Sequence, residues 1–158
     1  MSVWNWKCFG VVLVLAGCSN GAHQNVPLPF LTLMQGWTGT LRSKTDFVVA
    51  RTRSEWEAAW QLPNTDQYGN RWGEVSVPPA VDFSKDMVLG IVSLASPSGC
   101  AAVTVTSVRQ ARDHLEVEYS GFHHHPDEVC TAAFFAPYVF VAVPSTSGEI
   151  RFVEVQPK

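Results

Sequence analysis

The chain is expected to fold as a mainly β domain with one short helix, an antiparallel β-sandwich or barrel-like module. Three observations predict this. HLEVEYS (114–120) and EIRFVEV (149–155) alternate apolar and polar residues, the period of a strand with one wet face. MVLGIVSLA (87–95) is short and almost wholly apolar, which suits a strand covered on both faces. A single stretch, 54–62, has helical spacing, and turn-forming residues punctuate the rest.

In chain order, DFVVAR (46–51) is a short β-branched strand. Ser54 and Glu57 match a capping box, in which two free backbone N–H groups at a helix start are satisfied reciprocally. Trp56, Ala59 and Trp60 then share one helical face, the expected core face, and Pro63 is a stop. Residues 63–80, PNTDQYGNRWGEVSVPPA, form a long polar connection; connections of this length often carry function. Its large side chains, Tyr68, Arg71 and Trp72, either bind a partner or pack the loop onto the domain.

Asp82, in PAVDFS, is placed to accept nearby backbone N–H groups where the chain turns into the central strand, with Phe83 as an apolar anchor. SPSG (96–99) is a turn. In AAVTVTSVR (101–109), alternation puts Val103, Val105 and Ser107 on one face and Thr104, Thr106 and Val108 on the other. Leu115, Val117 and Tyr119 point inward from the next strand, leaving Glu116 and Glu118 in solvent. YVFVAV (138–143), between Pro137 and Pro144, is another strand, and EIRFVEV turns Ile150 and Phe152 inward.

The first residues read as an address. Lys7 is a minimal positive n-region, and the apolar run Phe9–Ala16 is shorter than the roughly 20 residues that span a bilayer but fits an export-signal core. Leu15-Ala16-Gly17-Cys18 follows. This resembles the lipobox of bacterial lipoproteins; the alternative is an ordinary signal peptide beside a chance cysteine. The resemblance implies cleavage before Cys18, diacylation of its sulfur and an anchor of several acyl chains, which hold where one chain is marginal. Ser19 resembles outer-membrane sorting, on the periplasmic face. On this reading 1–17 is the signal, 18–35 a lipidated tether whose apolar end, Phe30–Met34, docks on the domain, and 36–158 a single β-rich domain.

The whole chain has 11 basic and 14 acidic side chains, a formal charge of −3, with no basic patch. Nucleic-acid binding relies on clustered positive charge and is not expected. Of four cysteines, Cys8 leaves with the signal and Cys18 is the lipid site. Cys100 and Cys130 remain in a compartment that permits a disulfide; two buried thiols, or a thiolate ligand, are the alternatives.

GFHHHPDEVC (121–130) concentrates metal-ligand chemistry. If it continues as strand, His123 and His125 project together about 6.5–7 Å apart. They can share Zn or Cu, with Asp127 or Glu128 as third ligand. His124 points the other way, toward a partner. The spacing lacks a helical His-Glu-x-x-His or paired Cys-x-x-Cys, and a solvated loop is the competing reading. No Gly-x-Ser-x-Gly turn, phosphate loop or carboxylate pair stands out, so no enzyme is expected. Binding of a small ligand or cell-wall glycan through Tyr68 and Trp72 is a further alternative.

The order of motifs resembles the domain family named for the C-terminal part of the protease complex subunit PrcB. The markers are SEWEAAWQ after a strand, Val81-Asp82-Phe83 before an apolar strand, a Ser98-Gly99 turn, VTVTSVR, LEVEYS, and Pro137-Tyr138 opening a strand that ends at Pro144. They run from Phe47 to Pro144. Many relatives have Gly-Tyr or Gly-Gly at the turn, where this chain has Gly99-Cys100. The resemblance implies a lipid-anchored module that binds and stabilises another envelope protein, a protease in the namesake. It supplies no catalytic residues to carry over.

Overall fold

The structure, a computed structural model, describes residues 25–38, 42–64, 77–121, 129–132 and 134–156. The strands are β1 (Val26–Pro27), β2 (Leu31–Thr38), β3 (Asp46–Ala50), β4 (Asp86–Val92), β5 (Thr104–Gln110), β6 (His114–Ser120), β7 (Ala136–Pro144) and β8 (Glu149–Glu154). Among the described residues one α-helix, α1 (Arg53–Ala59), lies between β3 and β4. The strands form two four-stranded sheets, ordered β1-β5-β6-β8 and β2-β7-β4-β3. The expected mainly β, sandwich-like architecture is present, with one departure: β6 and β8 pair in parallel.

Two cores account for the layers. Met87, Leu89 and Ile91 of β4, Val139, Val141 and Val143 of β7, and Leu115 and Val117 of β6 meet between the sheets. Val88 and Val92, on the opposite face of β4, join Phe140, Trp56, Ala59 and Trp60 beneath α1. The second sheet is thus covered on both faces, which is why β4 lacks polar alternation. Leu115, Val117 and Tyr119 are buried, as alternation in β6 requires, and Ile150 and Phe152 pack against the same core.

Four details differ from the sequence expectations. The helix cap is Thr52 with Glu55: Thr52 Oγ1 accepts from Glu55 N–H, and the Glu55 carboxylate accepts from Thr52 N–H at 2.9 Å. The sequence contains two overlapping boxes, and Glu57 of the other pairs with Arg53 Nε instead, at 3.1 Å. The helix closes at Ala59, before Pro63, which is buried in a 3-10 turn over Leu62–Asn64. In β5 a bulge between Val105 and Ser107 resets the alternation. Val103, Val105 and Val108 are therefore the buried set, and Ser107 turns toward Glu118.

The fourth concerns the segment expected to tether the domain up to residue 35. Val26–Pro27 pairs with β5, and Leu31–Thr38 pairs with β7 along its length. Phe30 packs against the inter-sheet core and Leu33 against the core beneath α1. Burial of these apolar groups and satisfaction of the β7 backbone bring residues 26–35 into the fold.

The two open sides of the sandwich are closed differently. On one side Gln35 Nε2 of β2 donates to Val103 O at 3.0 Å and to Thr104 Oγ1 at 2.9 Å. On the other, Phe47 of β3 stacks on Phe152 of β8 with centroids 4.7 Å apart and meets Tyr119 edge-on. Arg51 then ties the turn before β8, donating to Thr146 O and Gly148 O at 2.9 Å each.

Candidate functional site

β4 and β7 do not stop pairing at the sheet boundary. Ser93 N–H donates to Pro137 O, Ser96 and Phe135 exchange a pair of backbone hydrogen bonds, and Gly99 N–H donates to Thr131 O at 2.8 Å. The two legs converge on the Cys100–Cys130 disulfide, whose Cα atoms are 5.3 Å apart. The expected bridge is present, so Cys130 is not a thiolate ligand. Cys100 N–H donates to Ser98 Oγ, and a side chain on Gly99 would collide with Thr131, so the turn needs a residue without Cβ.

This neck is the mount for GFHHHPDEVC. Val129, next to the disulfide, is 98% exposed, and Phe134 is exposed on the returning leg. Trp37 at the end of β2 packs on Phe135 with centroids 4.7 Å apart, yet remains largely exposed. The covalently closed base is thus flanked by exposed apolar groups, Val129, Phe134 and Trp37. His123, His124, His125 and Asp127 lie outside the described residues, as do Tyr68, Arg71, Trp72 and the lipidation candidate Cys18. Among the described residues, no three His, Cys, Asp or Glu side chains converge as a metal site.

The other polar residues singled out in the sequence have local partners. Asp82 accepts from Ser84 N–H at 3.1 Å and Ser84 Oγ–H at 2.6 Å, and holds Lys85 Nζ at 3.2 Å. The Ser84 hydroxyl, with Lys85 and the Ser84 amide, keeps its carboxyl below the ordinary range. Its own carbonyl accepts from Lys85 and Asp86 N–H, so Asp82 shapes the turn into β4 as expected, and Phe83 anchors it against the α1 core. Glu118 is not simply solvated: it accepts from Ser107 Oγ at 2.6 Å and Arg109 at 3.0 Å.

Sequence reading missed Trp37, Phe135, Gln35 and Arg42. Arg42 is 8% exposed overall and places its guanidinium 2.7 Å from the Asp46 carboxylate. Only an (i, i+4) charge pair outside any helix pattern hinted at this. Trp37 gave no periodic signal, because its partner Phe135 is almost a hundred residues away. Beside α1, Arg53, Trp56, Val77, Val81 and Phe83 line a groove of about 190 Å³. That is below the roughly 300–1,000 Å³ of small-molecule pockets. Trp56 Nε1 already donates to Pro79 O there at 3.0 Å.

No family model, curated protein or solved structure matches the chain.

Proposed function

We propose that this chain is a lipid-anchored, non-enzymatic envelope protein, whose β domain binds or stabilises another envelope protein. The observation that supports the reading is the Cys100–Cys130 staple with the exposed Val129 and Phe134 beside it. A covalently closed base limits the ordering entropy that a loop loses when a partner binds. A disulfide also suits the oxidising compartment to which the Leu15-Ala16-Gly17-Cys18 motif points, with Cys18 anchored in the outer membrane. The resemblance to the PrcB domain makes a protease the partner to try first.

The test is a pull-down from native membranes, using the lipidated wild-type chain and a Cys100→Ser/Cys130→Ser variant. A reproducible protein partner, reduced in the variant, supports the reading. Recovery of the chain alone, with no change in any envelope protease after gene deletion, refutes it.

A second reading rests on the histidines carried by the same mount: binding of Zn²⁺ or Cu²⁺ by His123, His125 and Asp127. Calorimetry on wild type and a His123→Ala/His125→Ala variant separates the two. Affinity weaker than about micromolar, a binding free energy of roughly −8 kcal/mol, or affinity indifferent to the substitutions, removes the metal reading.

A further inference from the structure

The sandwich has two ends, and the chain enters at one of them. Val26 pairs with Gln110 at the close of β5, and Asn25 lies beside Arg112, Asp113 and His114 of the turn into β6. The turn into β8 stands at the same end. Arg51 donates to Thr146 O and Gly148 O there, and a Cβ on Gly148 would stand 3.6 Å from Asp113 O. Pro144, at the close of β7, pairs with Asp86 at the start of β4.

The disulfide neck stands at the other end. Gln35 of β2, opposite Val139 of β7, donates to Thr104 at the start of β5, which aligns the ends of the two sheets. From Pro144 back to Ala136, β7 covers nine residues, about 27 Å at about 3.4 Å per residue. Beyond Ala136 the two legs continue through the Ser96–Phe135 pair and the Gly99–Thr131 hydrogen bond to Cys100–Cys130. The disulfide therefore lies farther from Asn25 than β7 is long.

Cys18 precedes Asn25 by seven residues, which reach at most about 25 Å when fully drawn out. We propose that this short reach sets the polarity of the domain on the membrane. The end with Asn25, Arg112 and Ser147 faces the lipid, and the disulfide neck faces the aqueous space. The inference rests on the anchor at Cys18 in the proposed function, and it adds where the partner stands. A domain standing on its neck would lift Asn25 farther from the lipid than the segment from Cys18 can follow. The partner taken by the neck is then a protein that presents its contact surface in the aqueous space, about 27 Å or more clear of the lipid. Neither the lipid surface nor a membrane-embedded helix meets that condition.

The test uses the lipidated full chain in phosphatidylethanolamine–phosphatidylglycerol vesicles whose spin-labelled headgroups quench nearby fluorophores. A fluorescent amino acid is placed at the exposed Arg112 or Ser147, and separately at the exposed Val129 or Phe134. Quenching at 112 and 147 is expected to exceed that at 129 and 134 by about threefold or more, since the two sets stand about 27 Å apart. About fourteen Gly and Ser residues inserted before Asn25 raise the reach to about 75 Å and should bring the ratio toward unity. Equal quenching at both ends, as for a domain lying on its flank, overturns the proposal. So does stronger quenching at 129 and 134, or a ratio that the insertion leaves unchanged. Intact mass separates the two failures. A chain without lipid on Cys18 removes the anchor reading and this inference with it, whereas a lipidated chain quenched equally at both ends removes the inference alone.

Discussion

Gly90 of β4 lies directly opposite Phe140 of β7, and the Phe140 ring occupies the space where a side chain on residue 90 would stand. Trp56 of α1 and Trp60 just past its end close over the same ring edge-on and tilted, with centroids 5.0 and 6.0 Å away. A glycine in a central strand weakens the strand by itself, yet here it makes room for the Phe140 ring in the core beneath the helix. Gly90→Ala is expected to destabilise the domain by about 1–3 kcal/mol through overpacking. Urea unfolding followed by tryptophan fluorescence checks this, and an unchanged midpoint would refute the packing role given to Gly90.

The Cys100–Cys130 bridge closes a separation of 30 residues that contains both β5 and β6. On the chain-entropy account, restricting a loop of that size stabilises by about 3–4 kcal/mol. Cys100→Ser/Cys130→Ser should lower the unfolding midpoint accordingly. Reductant should lower the wild-type midpoint toward the variant's and leave the variant's unmoved.

The cap assignment separates two hydroxyls that sit two residues apart. Thr52→Ala removes the acceptor for Glu55 N–H and should cost about 1 kcal/mol. Ser54→Ala loses the contact of Ser54 Oγ with Thr52 Oγ1 at 3.2 Å but leaves both capping bonds, so it should cost within about 0.5 kcal/mol. Comparable losses in both variants would contradict the geometry at the start of α1.

Among the described residues, four carboxyls are held below their ordinary range in the folded chain. Glu55 is lowered first by the Arg51 backbone N–H, Asp82 by the Ser84 hydroxyl, Asp113 by the His114 side chain and Glu149 by Arg151. A carboxyl whose folded pKa lies below its unfolded value stabilises the fold above the unfolded pKa, and that contribution fades as pH falls through the folded one. The urea midpoint should therefore decline below about pH 4, where unfolded Asp and Glu protonate. Glu55→Gln and Asp82→Asn should each flatten that decline. All four groups are solvated, so each contribution is small.

Much of the fold was legible because its signals are local. Period-2 alternation in 114–120 and 149–155, the apolar run at 87–92, and the Trp56, Ala59 and Trp60 face each follow from which side of an element meets water. The disulfide was legible from Cys100 and Cys130 as the one cysteine pair within the expected domain. The β5 bulge was not: one extra residue opposite Glu118 exchanges Ser107 for Val108 on the core face, and no local propensity marks where a ladder slips. The start of the domain was missed for a related reason. Residues 26–35 contain two prolines and read as a linker until β5 and β7 supply backbone partners.

The sequence alone determined the strands from Asp46 onward and which face of the helix is apolar, since these depend on spacing along the chain. Tertiary structure alone decided that β6 and β8 run parallel, that Phe140 rests over Gly90, and that the paired legs beyond β4 and β7 carry the disulfide. Each of these brings together residues distant in sequence. Such contacts are settled by which backbone groups and apolar faces remain to be satisfied once the local elements have formed.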